Sequence, residues 1–234
     1  MQALSNVSKF WGEKLTDQVW IQPGEEVFLE NMIQIARESS RILEIGVGTG
    51  RMPKLLRKNG VTGEIFGIDI SENVCRSETV GIVGDARALP LVEETFDFVY
   101  SLGVVEHFFE TTLAIKEHAR VAKTGGYVLI TTPHLSLFTP FRLAAHWVMH
   151  REYGPFSAIK GRNLSLHLVT QYVKSAGLQI VASGFWGLFG IKWFLRRLGI
   201  QEQFLHKFQH IPMVGAFLFV LAKKLNCPLT AKLP

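Results

Sequence analysis

The stretch RILEIGVGTGRM, residues 41–52, sets an acid, Glu44, two positions ahead of Gly46 and then repeats glycine at Gly48 and Gly50. Alternating apolar residues lead into it, and a helical pattern with Pro53 in its first turn leads out. A strand that runs into a glycine turn and then a helix lets backbone amides approach a ligand at the helix N-terminus. The spacing is not that of the pyrophosphate cradle GxGxxG, because Arg51 stands where the third glycine belongs. Glu44 argues the same way, since a carboxylate beside phosphates repels them. The turn therefore predicts a phosphate-free cofactor that carries positive charge, for which Glu44 is an asset.

Three further stretches supply polar groups in order. GIDIS ends the next apolar run and offers Asp69, nineteen residues beyond Gly50, as an acceptor for two ribose hydroxyls. Nicotinamide enzymes use the same device, so Asp69 alone does not choose the cofactor. GDARALP offers Asp85 for an adenine amino group and the Ala86 amide for a ring nitrogen. FDFVYSLGVVEHF opens into a loop at Ser101 to Gly103 whose backbone can line the methionine portion, whereas Asp97 inside that run reads as structural. S-adenosylmethionine, with its sulfonium and ammonium, meets these demands.

With LEIGVGTGRM, GIDIS, GDARALPLVEETFDFVYSLGVVEHF and RVAKTGGYVLITTPH in register over residues 41–134, the chain resembles the class I S-adenosylmethionine-dependent methyltransferases. It is most similar to the group that includes the ubiquinone and menaquinone biosynthesis methyltransferases. The resemblance implies a doubly wound, Rossmann-like α/β sheet of seven strands, the last antiparallel, with helical insertions over the active edge. It also carries cofactor contacts onto Glu44, Gly46, Gly48, Asp69, Ile70, Asp85, Ala86 and Ser101. Gly50 is counted with them, although helix-to-strand packing alone also explains it.

Methyl transfer from a sulfonium is an in-line displacement with a good leaving group, so alignment and exclusion of water supply most of the catalysis. A general base is needed only where the acceptor loses a proton. His107, directly after Glu106, is the first candidate, and His134 is the second. Capping and packing of the helix start is the plainer reading of the Glu106–His107 pair. His146 and His150 share one helical face, but Trp147 occupies the glutamate position of HExxH, so no metal site is expected. Cys75 and Cys227 lie far apart and signal neither a disulfide framework nor zinc. No Asn/Asp-Pro-Pro-Tyr stretch follows the fourth strand, which weighs against methylation of amino groups in nucleic acid.

The elements that must position these residues read as strands at 41–47, 64–70, 80–85, 96–102, 126–132, 178–185 and 215–224. Helices are expected from about residue 50, briefly after Ser71, through 104–123 up to Gly125 and Gly126, and at 165–177. One domain over 1–234 is expected, with an N-terminal helical segment (1–40), a cofactor-binding core (41–134) and insertions at 135–163 and 186–212. In the second insertion Ile191, Phe194, Leu195 and Leu198 form one apolar stripe, with Lys192, Arg196 and Arg197 opposite. With Trp11 and Trp20, it suggests a pocket for a greasy acceptor or a membrane-surface contact, although core packing gives the same pattern.

Apolar residues make up 47% of the 234 and charged ones 19%, a globular mixture. Residues 1–134 hold 13 Lys and Arg against 18 Asp and Glu, whereas residues 135–234 hold 12 against 2, a net +10. Such a basic half suits an anionic lipid surface, a nucleic acid or an acidic substrate, or simply a solvated face. The start lacks a signal-peptide pattern and the apolar run at 213–222 is too short to span a bilayer, so a cytoplasmic protein, at most peripheral to a membrane, is expected. The expected activity is methyl transfer to an apolar small molecule such as a quinone precursor, a lipid-linked compound or an aromatic metabolite. RNA or protein methylation and a non-catalytic S-adenosylmethionine-binding module are the alternatives.

Overall fold

The structure is a computed structural model that describes residues 24–71, 79–136, 139, 161–187 and 215–226. Trp11, Trp20, the short helix expected after Ser71, Cys75, His146, Trp147, His150, the stripe from Ile191 to Leu198 and Cys227 lie outside the described residues. So does most of both expected insertions, 135–163 and 186–212.

Along the chain come α1 (Glu26–Glu38), β1 (Arg41–Ile45), α2 (Arg51–Lys58), β2 (Glu64–Asp69), β3 (Val80–Val83) and β4 (Phe96–Leu102). There follow a 3-10 turn at Val105–His107, α3 (Thr111–Val121), β5 (Ala122–Pro133), α4 (Leu166–Ser175), β6 (Leu178–Trp186) and β7 (Phe217–Lys224). The strands form one seven-stranded sheet in the order β3-β2-β1-β4-β5-β7-β6. The first five pair in parallel, and β7 runs antiparallel between β5 and β6. The expected doubly wound sheet with its antiparallel last strand is therefore present.

Strand periodicity explains why both faces are covered. In RILEI, Leu43 and Ile45 join a core with Val99, Val128 and Ile130, closed by Ala114 and Ile115 of α3 and Val169 and Val173 of α4. Ile42 points the other way, with Phe98, Tyr100 and Leu129, beneath Phe28, Leu29 and Met32 of α1 and Met52, Leu55 and Leu56 of α2. Each fully buried side chain of this size contributes about 1.5–3 kcal/mol relative to exposure. Pro53 falls in the first turn of α2, where its missing N–H has no intrahelical acceptor to lose. Ser165 caps α4 by accepting from the Leu168 amide at 3.2 Å.

One expected element is wrong in kind. The long helix over 104–123 is a 3-10 turn followed by α3, and β5 begins at Ala122, directly after α3 ends. The two glycines do not stop a helix. They lie inside β5 where its register against β4 shifts, Phe96 pairing with Ala122 and Phe98 with Tyr127. Gly125 has φ +83°, and a Cβ on Gly126 would come within 2.9 Å of the Asp97 and Lys123 carbonyl oxygens. The other strands match with end shifts of a few residues, and the helical segment expected over 1–40 holds α1 among its described residues.

The order of β1 and β4 has a consequence for ligands. The chain moves outward from β1 to β2 and β3, then returns to β4 on its other side, so a crevice opens at the carboxyl ends of β1 and β4. Gly46, Gly103, the Glu106–His107 turn and His134 all follow strand ends on this edge.

Candidate active site

The turn after β1 is tied to the end of β2. Gly46 and Val47 amides donate to the Ile68 carbonyl at 2.7 and 3.2 Å, and the Gly48 amide donates to Asp69 Oδ2 at 3.1 Å. Asp69 Oδ1 accepts from the Ser71 amide at 3.0 Å, so the carboxylate is fixed through both oxygens while each retains a further lone pair. Gly46, Gly48 and Gly50 all have positive φ, and Gly50 is the left-handed residue that opens α2. Gly46 is the most constrained, since a Cβ there would lie 2.3 Å from Val104 Cγ2. These features fit a ligand that presents hydroxyls to Asp69 beside closely approaching backbone, with Ile70 next to it partly exposed.

Glu44 differs from its expected role as a free anion. It is buried under the turn on the α1/α2 side, and Tyr100 Oη donates to its Oε2 at 3.2 Å. Burial pushes its carboxyl well above the usual range, and the Tyr100 hydrogen bond and the Arg51 charge only partly offset that. Arg51, the residue that breaks the GxGxxG spacing, makes a paired bond to Glu25 at 2.8 and 2.6 Å and so pins the approach to α1 against α2.

At the end of β3, Asp85 is not free either. Its two oxygens accept from the Arg87 side chain at 2.8–3.2 Å and from the Arg87 amide at 2.8 Å, and these bonds hold its carboxyl below the usual range. Arg87 also lies 5.0 Å over the Phe108 ring and 3.3 Å from Glu110. Adenine recognition by Asp85 thus requires the guanidinium to shift or to share the carboxylate, while Ala86 is buried beside it.

Ser101 is a correction. Its backbone is held in β4 between Ile45 and Ile130, and its hydroxyl donates to His118 Nε2 at 2.9 Å on the α3 side. His118 Nδ1 donates to the Ala114 carbonyl at 2.7 Å, which leaves Nε2 as acceptor, and burial takes its imidazole down to about 4. Period-two alternation turned the Ser101 side chain into the core, and the loop begins only at Gly103. Asp97 is structural as expected: it accepts from the Ser40 and Arg41 amides at 3.1 and 2.8 Å and from Lys123 Nζ at 2.7 Å.

His107 is one-third exposed, and burial of the rest of its ring lowers its pKa. Its Nε2 stands 4.0 Å from Glu106 Oε1. His134 instead is buried, with Nδ1 paired to the Leu164 carbonyl at 3.2 Å and its ring 4.6 Å from that of Phe185. The residue that sequence reasoning passed over is Glu106, which is buried and whose carboxyl is pushed by desolvation up to about 8. Its only signal in the sequence was an acid beside a histidine just past a strand end. Arg87 was signalled by nothing beyond its place two residues after Asp85. No cluster of metal-ligating side chains occurs among the described residues.

Comparison with known proteins agrees with this geometry. Residues 43–130 match the methyltransferase domain family. The chain is 30% identical over 128 residues to malonyl-acyl-carrier-protein O-methyltransferase of Methylococcus capsulatus, covering 51% of this chain and 46% of that protein. It is 36% identical over 103 residues to demethylmenaquinone methyltransferase of Staphylococcus aureus, covering 40% of this chain and 43% of that protein. The matches thus span less than half the length of these two relatives. A solved S-adenosylmethionine-dependent methyltransferase from Archaeoglobus fulgidus superposes with a TM-score of 0.60 at 19% identity, over 85% of this chain and 92% of that one. The matched residues 43–130 run from β1 to β5 of the Rossmann-like seven-stranded sheet.

Proposed function

We propose that this chain is an S-adenosylmethionine-dependent methyltransferase whose acceptor is an apolar small molecule. The observation that carries the reading is the pairing of Gly48 with Asp69 at the crevice between β1 and β4, inside the matched methyltransferase domain. S-adenosylmethionine supplies a methyl group on a positively charged sulfur. Gly46, Gly48 and Gly50 give its amino-acid portion room beside backbone, Asp69 accepts from the ribose hydroxyls, and Ile70, Asp85 and Ala86 border the adenine. Burial raises the Glu44 carboxyl, and a cation lying near the turn would favour its ionised form. The apolar acceptor class draws on the relative named for demethylmenaquinone, while the other relative's name points to a malonyl group held by a carrier protein. Contact of 186–212 with a membrane surface belongs to the same reading. No helix among the described residues is long and apolar enough to cross a membrane.

A second reading, methylation of RNA or protein, rests on the net +10 of residues 135–234. Calorimetry with S-adenosylmethionine and S-adenosylhomocysteine, with NAD as control, tests the cofactor. Binding of both adenosyl compounds and not of NAD is expected, and the reverse result sinks the proposal. Mass spectrometry of an organic extract of the purified protein then looks for a co-purified apolar compound. RNA binding that weakens steeply with salt, with no apolar compound turned over, replaces the first acceptor class by the second.

A further inference from the structure

Glu106 and Thr132 bring two buried polar atoms side by side, neither with a hydrogen bond of good geometry among the described residues. Glu106 lies in the 3-10 turn just past β4, and Thr132 lies near the carboxyl end of β5. Both side chains are buried, and neither Glu106 Oε2 nor Thr132 Oγ1 makes a hydrogen bond of acceptable geometry among the described residues. The two still face each other closely enough for Thr132 to favour the charged carboxylate. Buried polar side chains are nearly always well paired, so two poorly satisfied atoms side by side on the ligand edge mark a spot that a ligand hydroxyl can complete.

The surroundings hold that spot in shape. Gly103, with φ +74°, turns the chain out of β4, and a Cβ there would stand 3.3 Å from Glu106 Oε1. Gly161 packs so closely that a Cβ on it would lie 2.3 Å from Glu106 Cγ. The Arg162 amide donates to the Glu106 carbonyl at 3.1 Å, and the Arg162 guanidinium is held by the Phe108 carbonyl and by Thr111 Oγ1. The returning segment is thereby locked across the Glu106 turn. The ionisable groups nearest Glu106 are His107 on its own turn and Arg162 on that segment, and burial is the largest influence on its carboxyl.

We propose that Glu106 Oε2 and Thr132 Oγ1 form the polar end of the acceptor pocket, where Glu106 takes the proton of a phenolic or enolic hydroxyl. The chemistry of the two atoms selects a hydroxyl: its O–H donates to the carboxylate and its oxygen accepts from Thr132. As the acceptor oxygen gains the methyl group, its proton passes to Glu106 Oε2 and the pair of the broken S–CH3 bond stays on sulfur. His107, neutral near pH 7 because burial lowers its pKa, stands 4.0 Å away and one-third exposed, in position to carry that proton on to water. With its carboxyl at about 8, Glu106 gains its ionised, proton-accepting form as pH rises toward that value, so turnover on a hydroxyl is expected to rise with pH.

The inference rests on the proposed methyltransferase reading, and the test separates the two. Wild type, Glu106→Gln and Thr132→Val are each saturated with S-adenosylhomocysteine and probed with phenol, anisole and benzoate, by calorimetry and by infrared difference spectra of protonated carboxyl groups against pH. A carboxyl that ionises near pH 8 in wild type and is missing in Glu106→Gln is expected, with phenol perturbing it and anisole not. Both variants should bind phenol about tenfold more weakly or worse, while keeping S-adenosylhomocysteine affinity within about twofold, which also reports that they fold. Equal phenol affinity in all three proteins, no phenol binding to cofactor-loaded wild type, or preferred binding of benzoate overturns the assignment. Failure of wild type to bind S-adenosylhomocysteine overturns the methyltransferase reading instead, and the Glu106 titration, read in the same samples, is unaffected by it.

Discussion

The Gly48 amide and the Asp69 carboxylate, 3.1 Å apart, join the turn after β1 to the end of β2. One acid thereby fixes the glycine turn and offers lone pairs to a ligand, whereas Asp97 at the other edge of the sheet serves only the fold. Asp69→Ala is expected to weaken S-adenosylhomocysteine binding tenfold or more, since a hydrogen bond to a charged group is worth about 1.5–3 kcal/mol. Asp97→Ala should keep that affinity and lower stability, because the Ser40 and Arg41 amides and Lys123 lose their acceptor. Calorimetry and urea unfolding of the two variants compare them. Equal affinities would remove Asp69 from the site.

Gly46 and Val104 test whether the turn needs glycine for space or for conformation. Gly46→Ala puts a methyl 2.3 Å from Val104 Cγ2 on a backbone with φ +75°. Overpacking of this kind costs about 1–3 kcal/mol, and left-handed backbone adds about 1–2 kcal/mol for a residue with a Cβ. Combining Gly46→Ala with Val104→Ala relieves the clash and leaves the backbone term. The double variant should therefore unfold at a denaturant concentration between those of Gly46→Ala and Val104→Ala. A double variant as stable as Val104→Ala would mean that sterics alone kept glycine there.

The sheet was legible because apolar runs of strand length alternate with helical patterns, and because the central runs β1 and β4 are buried on both faces. Glu44, Asp69 and Asp85 were found as acids at strand ends, but what engages them was not. The Arg87 clamp on Asp85 and the Tyr100 bond to Glu44 arise from side-chain directions that spacing does not encode. The loop expected from Ser101 starts only at Gly103 because β4 continues through Leu102, which leaves the Ser101 hydroxyl to meet His118. Gly125 and Gly126 looked like a helix stop because glycine serves a helix end and a strand irregularity equally well. Glu106 stayed hidden because burial, which gives it its chemistry, comes from Gly161 and Thr132, far away in sequence.

His118 should make the protein acid-sensitive in a defined window. Its imidazole has a usual pKa of 6.5, and burial lowers that to about 4 in the folded protein. Above pH 6.5 neither state binds the proton; between 6.5 and about 4 the unfolded chain binds it and the native one does not. Stability is therefore lost as pH falls through that range, by at most about 3.5 kcal/mol at 1.36 kcal/mol per pH unit. His118→Gln removes the titration and should flatten the acid limb of a urea-denaturation series while lowering stability at neutral pH. An unchanged acid limb would mean that His118 is not the group responsible.

Glu106 should act in the opposite sense. Its carboxyl has a usual pKa of 4.5 and is raised to about 8 by burial, so between those values the native protein holds a proton that the unfolded chain has released. The native state then binds more protons, and stability falls as pH rises from 4.5 until it levels off above about 8. The loss is at most about 5 kcal/mol at 1.36 kcal/mol per pH unit, and less wherever the buried site relaxes around the charge. Glu106→Gln keeps the shape and cannot ionise, so its stability above neutral pH should exceed that of wild type and change little from pH 6.5 to about 8. A phenolic probe that accepts from Thr132 and donates to the ionised carboxylate should restore part of the wild-type loss by binding the native state alone. Parallel stability curves for wild type and Glu106→Gln would show that the carboxyl titrates in the ordinary range, which removes the physical basis for Glu106 as a base.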